Sequence, residues 1–134
     1  RVSDTEKQLF NNITMFQIPD SIAACDADKS DYKKRELKYR LNQIVAENTY
    51  FDYACLVTDG GYTCDTIEKI GKNKGEIRTF SQDALENYKK NTMKNGYVWI
   101  SDEDNRIYLM HSVRQRSTLK HEGYLIVADQ GPGF

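Results

Sequence analysis

The sequence predicts an α+β fold built on one antiparallel sheet, and three observations carry that prediction. Helical periodicity fills residues 1–48, strand texture with a hairpin signal follows Asn48, and each later apolar run is short and joined to the next directly or through one helix. In the first helix, Asp4 or Ser3 serves as cap and Leu9, Ile13, Phe16 and Ala23 form an apolar stripe, with Pro19 forcing a kink or break near Ile18. From Ser30 or Asp31 a second helix carries Leu37, Leu41, Ile44 and Val45 at the spacing of one buried face, while Lys33, Lys34, Arg35, Glu36 and Lys38 read as its solvated side. Phe51 to Thr58 and Tyr62 to Thr66 then flank Asp59-Gly60, the signature of a two-residue type I′ hairpin. That turn sets Cys55 opposite Cys64 at a pair site whose Cα atoms approach within about 4.5–5.5 Å, a span a disulfide tolerates. A cross-strand Cys55–Cys64 bond and two free thiols are both open.

Residues 67–80, with Gly71 and Gly75, read as a loop. Ser81 caps a third helix from Gln82 to about Lys94, with Ala84, Leu85, Tyr88 and Met93 apolar and Asn95-Gly96 as its stop. Strands at Tyr97 to Ser101, Arg106 to Arg114 and Gly123 to Asp129 complete the order α-α-β-β-α-β-β-β.

Composition narrows function by exclusion. The 134 residues give room for one domain, and 19 basic against 20 acidic side chains leave a net charge of −1, without the cationic excess that binds nucleic acid. No run approaches the roughly 18 apolar residues of a membrane span. Leu, Ile, Val and Phe make up only 29 residues, so nine Tyr and one Trp must supply much of the core. Three cysteines are too few for a disulfide scaffold, and their odd number leaves at least one thiol free within a single chain. Asn12-Ile13-Thr14 is a formal glycosylation acceptor, too short a motif to carry weight. Only His111 and His121 offer imidazole, and no nucleophile elbow, phosphate loop or C-x-x-C metal step occurs, so no catalysis, cofactor or metal is expected. Asp102, Glu103 and Asp104 fit a solvated turn better than a cation site.

The last strands suggest a binding face. A turn of two or four residues after Ser101 would set Trp99 opposite Tyr108 and Tyr97 opposite Met110. Val98, Ile100, Ile107, Leu109 and Val113 would then pack on the first two helices, with His111 among them as a hydrogen-bonded core residue. The other face would gather the ligand candidates Tyr97, Trp99, Arg106, Tyr108, Met110 and Arg114, with Ser112 among them, an amphipathic surface with guanidinium groups suited to carboxylate or phosphate. Direct packing of the third helix there, with both arginines reaching outward, is the competing arrangement.

The wording of the last third resembles a known family. Gly96-Tyr97-Val98-Trp99-Ile100-Ser101, the acidic turn Asp102-Glu103-Asp104-Asn105, Ile107-Tyr108-Leu109 leading to Ser112-Val113-Arg114, Ser117-Thr118-Leu119-Lys120 and Glu122-Gly123-Tyr124-Leu125-Ile126-Val127 are similar to the extracellular Cache-type, PAS-like sensor domains of bacterial membrane histidine kinases. The likeness covers the whole chain in layout and residues 96–129 in wording. It implies a single extracellular Cache domain over residues 1–134, with residues 1–48 as its N-terminal helical segment on one face of the sheet and a short helix and loops on the other. It further implies membrane-spanning helices before Arg1 and after Phe134, cytoplasmic two-component signalling modules with the transferase activity of a histidine kinase, an oxidising compartment for the cysteines, and a homodimer. The stripe Leu9, Ile13, Phe16 is the candidate dimer interface, in competition with burial on its own sheet. The chain departs from larger members in its short 67–80 segment and lacks an amino-acid-binding signature, so no ligand class follows. Two other readings remain: a protein-interaction module without a small-molecule pocket, and a cytosolic PAS-like or profilin-like binding domain.

Overall fold

Pro19 does break the first helix. In the computed structural model, which describes residues 2–28, 30–48, 51–61, 63–65, 82–101 and 106–129, helix α1 spans Val2–Met15 and α2 spans Ile18–Asp28. Between them Gln17 takes the left-handed region at φ 55°, with its N–H on the Thr14 carbonyl at 3.1 Å. Helix α3, Asp31–Glu47, starts where predicted: Ser30 is extended and its side chain accepts the Lys33 N–H at 3.2 Å. Its buried positions are Leu37, Leu41, Ile44 and Val45. Strands β1 (Phe51–Thr58) and β2 (Thr63–Asp65), helix α4 (Gln82–Asn95), and strands β3 (Tyr97–Ser101), β4 (Ile107–Arg114) and β5 (His121–Asp129) follow. The expectations for Tyr62, Thr66, the 67–80 loop, the Ser81 cap and the turn at 102–105 lie outside the described residues.

All strand pairs are antiparallel, in the order β2-β1-β5-β4-β3. Helices α1–α3 cover one face, where Leu9, Ile22, Leu37, Leu41, Leu56 and Leu125 belong to one buried cluster. Helix α4 packs on the other, where Leu85 joins Tyr53, Cys55, Tyr108, Met110 and Ile126. The architecture is therefore α+β with an open five-stranded antiparallel sheet between two helical layers. No helix among the described residues is long and apolar enough to cross a membrane.

Polar groups tie the helical layer together. Asn48, ending α3, accepts from the Gln8 amide, and its own amide donates to Asn12 Oδ1 at 3.3 Å and the Ile44 carbonyl at 2.6 Å. Asn12 is thus enclosed and engaged, which agrees with discounting it as a glycosylation acceptor.

The first hairpin departs from expectation by one residue. Leu56 pairs with Cys64 and Cys55 with Asp65, because the connection holds Asp59, Gly60 and Gly61. Gly61 supplies the positive φ, 96°, and its N–H closes the turn on the Thr58 carbonyl at 3.2 Å. Neighbouring strand residues alternate faces, so this slip sends Cys55 to the α4 side and Cys64 to the α1–α3 side. Of the two arrangements left open for Cys55 and Cys64, this register gives the second: they do not face each other, and both are free thiols.

Strand β5 is central and β1 passes it closely at one point. A β carbon on Gly123 would stand 2.6 Å from the Val57 carbonyl oxygen and 3.0 Å from Thr58 Cα. Because the obstacle is backbone in a paired strand, Gly123→Ala is expected to cost about 1–3 kcal/mol, read as a lowered urea midpoint with unchanged slope.

Candidate functional site

The second hairpin also departs from an even-length turn, which divides the predicted ligand residues between two faces. Five positions separate the paired residues Ser101 and Ile107, so Trp99 pairs with Leu109 and Ile100 with Tyr108. Tyr97 pairs with His111, not Met110. Trp99 therefore packs with Leu109 and Val113 beneath α1–α3, while Val98 and Ile100 share the α4 face with Tyr108 and Met110. The single amphipathic face of Tyr97, Trp99, Arg106, Tyr108, Met110 and Arg114 does not form.

Each group finds another partner. The indole Nε1 of Trp99 donates to Glu6 Oε1 of α1 at 2.9 Å. A hydrogen bond to the same carboxylate holds the Tyr97 phenol proton more tightly than usual. On the other face Tyr108 and Met110 are enclosed in the core, and Arg106 sits 5.8 Å over the Tyr108 ring while its Nη2 donates to Asp52 Oδ1 at 2.6 Å. These three are structural. Arg114 stands apart, donating to the Leu119 carbonyl at 3.1 Å and lying 3.6 Å from Met93 Sδ.

Arg114 lines a hollow of about 620 Å³ between the α1–α2 break and the end of β4. One wall is Phe10, Ile13, Thr14, Gln17 and Pro19; the other is His111, Ser112, Arg114 and the β4–β5 turn through Leu119. The groove opens where the sheet loses a strand. β3 begins at Tyr97, opposite His111, while β4 runs on to Arg114, bulging after Val113. The Gln115 side-chain amide, donating to the Pro19 carbonyl at 3.0 Å, ties the walls together.

Among the described residues only two non-glycine positions have positive φ, Gln17 at 55° and Leu119 at 61°, and they face this groove from opposite walls. Such conformations cost of order 1–3 kcal/mol and persist where surrounding bonds fix them, often at ligand sites. Here Gln17 is held by Thr14 and Ser21, and Leu119 by Gln115 and Arg114. Phe10 is 55% and Leu119 66% exposed, so the groove keeps an apolar rim open to solvent. Arg114 and Arg116 lie on one wall and Asp20 on the other.

His111 forms part of the floor. Its Nδ1 donates to its neighbour's carbonyl, Ser112 O, at 2.7 Å, and Phe10 and Tyr97 lie against the ring with centroids at 6.0 and 6.4 Å. Burial lowers its pKa from the ordinary 6.5, outweighing the opposing pull of the Ser112 bond and Glu6. The neutral ring then presents Nε2 as an acceptor. Since the unfolded chain takes up this proton first, stability is whole above about pH 6.5 and declines as pH falls below it. His111→Gln is expected to flatten that decline, seen in the wild-type-minus-variant difference in urea midpoint between pH 7.5 and 5.5. Glu122, raised chiefly by burial, titrates with the opposite sign and cancels in that difference.

The groove suits binding, with apolar walls, one imidazole acceptor, two guanidinium groups and one carboxylate. Among the described residues no group of three or more His, Cys, Asp or Glu could hold a metal ion. Of the predicted binding face only Ser112 and Arg114 line the groove, and His111, expected as a core residue, lines it too; the available signal was Pro19, which marks the break forming one wall. No protein-family model matches the chain, and no curated protein matches it.

Proposed function

We propose that this domain is a signal-sensing module of Cache-type, PAS-like fold, belonging to a membrane sensor histidine kinase and lying on the extracellular side of the membrane. The fragment itself is non-catalytic and works by binding. The observation that carries the reading is the course of α1. Ile13 and Thr14 reach the groove, Phe10 meets His111, and Glu6, nearer its start, meets Trp99, so the helix runs from the groove toward the end of the sheet where β4 begins. At that same end β5 finishes, Tyr108 pairing with Ala128 and Phe51 with Asp129. A chain entering through α1 and leaving after β5 does so from one side, the geometry a relay between two membrane spans requires.

The ligand is a small molecule with an apolar body and a carboxylate. The body lies on Phe10, Ile13 and Leu119, and the carboxylate meets Arg116 and Arg114. Binding shifts α1 only by its differential affinity for two arrangements of that helix against β4. Thermal melting against a library of small carboxylic acids tests this. A ligand at a hundred times its dissociation constant stabilises by roughly 2.7 kcal/mol, and Phe10→Ala and Arg116→Ala, both at solvent-facing positions, should weaken it at least tenfold. A hit indifferent to both substitutions, or no hit at all, rejects the groove. Apolar segments of about 20 residues on both sides in the parent gene test the membrane topology separately.

The exposed rim of Phe10 and Leu119 favours a second reading, a protein partner seated on this surface. It predicts no small-molecule hit and a complex lost in Phe10→Asp.

A further inference from the structure

We propose that Cys25 and Cys64 are a redox pair that closes into a disulfide linking α2 to the edge strand β2. The register that takes Cys64 away from Cys55 turns it towards the helices, where Cys25 is buried in the same cluster. The side chain next to Cys25 reaches the hairpin that carries Cys64. Asp26, next to Cys25, lies over the turn that leads into β2, with its Oδ1 2.5 Å from where a β carbon on Gly60 would stand. A charge on Cys25 is near enough to raise the Cys64 pKa further. Cys55 is excluded, being fully buried on the opposite face beside Tyr53.

The two thiols differ in access, which assigns their order of reaction. Cys64 is half-buried and opens on a hollow between α3 and β2, lined by Lys34, Lys38 and Asp65, whereas Cys25 is enclosed. With oxidised glutathione as oxidant, the Cys64 thiolate attacks one sulfur, bonding to it and expelling the other half as glutathione thiolate. Cys25, deprotonated, then attacks the Cys64 sulfur and expels the second glutathione. Two protein thiols lose two protons and two electrons, and one oxidised glutathione becomes two reduced molecules. Burial pushes Cys64 up to about 11, against the pull of Lys38, so closure at neutral pH is slow. The bond ties the helical layer to the least anchored strand, independently of whether the domain senses a ligand.

The test is thiol counting and non-reducing peptide mapping on the purified domain before and after incubation with oxidised glutathione. The expected result is a fall from three thiols to one, a Cys25–Cys64 linked peptide, and Cys55 alone alkylated after unfolding. Closing this long loop should raise the melting temperature by roughly 10 °C, in wild type and in Cys55→Ser but not in Cys25→Ser or Cys64→Ser. Three remaining thiols, a stable glutathione adduct on Cys64, or a linkage through Cys55 would each overturn the pairing. The wild-type map decides this even where a serine variant fails to fold.

Discussion

Leu9→Asp is expected to unfold the domain, and Phe10→Asp, one residue further along α1, to leave it folded. Leu9 is 0% exposed among Ile13, Leu41 and Leu125, while Phe10 is 55% exposed on the groove rim. Truncating such a leucine costs about 2–5 kcal/mol, and an unpaired carboxylate in the same space adds several more. The sum reaches the whole stability of a typical domain, about 5–15 kcal/mol. Circular dichroism at 25 °C should show Leu9→Asp unfolded and Phe10→Asp at wild-type helicity, with its melting midpoint within a few degrees. A folded Leu9→Asp would mean that α1 does not rest on this sheet. The result bears on assembly too: Leu9 and Ile13 are committed to their own core, so the apolar residues α1 offers a second chain are Phe10 and Met15.

Helices were legible because their signals are local. Leu37, Leu41, Ile44 and Val45 mark one face, Ser30 starts it, Pro19 breaks the preceding helix and Asn95-Gly96 ends α4, each within a turn or two of chain. Strand positions were legible for the same reason, but strand faces were not. A face depends on whether the connecting turn has an odd or even number of residues, since one residue reverses every side chain on the returning strand. Asp59-Gly60-Gly61 is compatible with a two- or a three-residue connection, and only the positive φ at Gly61 selects the latter. After Ser101 an even turn would join Trp99 and Tyr108 on one binding face, whereas the odd connection that forms puts them on opposite faces. The groove was hidden for a different reason. Its walls meet through contacts such as Gln115 with Pro19, far apart in the chain, and its strained residues Gln17 and Leu119 carry no glycine to advertise them.

That division of faces makes the second large effect specific to stability. Tyr108→Ala is expected to cost about 3–5 kcal/mol, the range for removing a large buried ring, because Tyr108 is fully enclosed beside Met110 and Ile126 and supports the Arg106 guanidinium. Tyr108→Phe keeps the ring and should cost about 1 kcal/mol, so the pair separates packing from the hydroxyl. Arg106→Ala removes the donor 2.6 Å from Asp52, a carboxylate with 5% of its side chain exposed. With a fifth of Arg106 itself in water, that loss falls near the lower end of the range for breaking a buried pair, about 3 kcal/mol. None of these residues lines the groove. A carboxylic acid that binds there should therefore keep its affinity within about twofold in Tyr108→Phe, measured by calorimetry below the melting transition. Phe10→Ala should lower affinity with the melting midpoint of the free protein nearly unchanged. If Tyr108→Phe abolished binding and Phe10→Ala did not, the ligand would sit on the α4 face rather than in the groove.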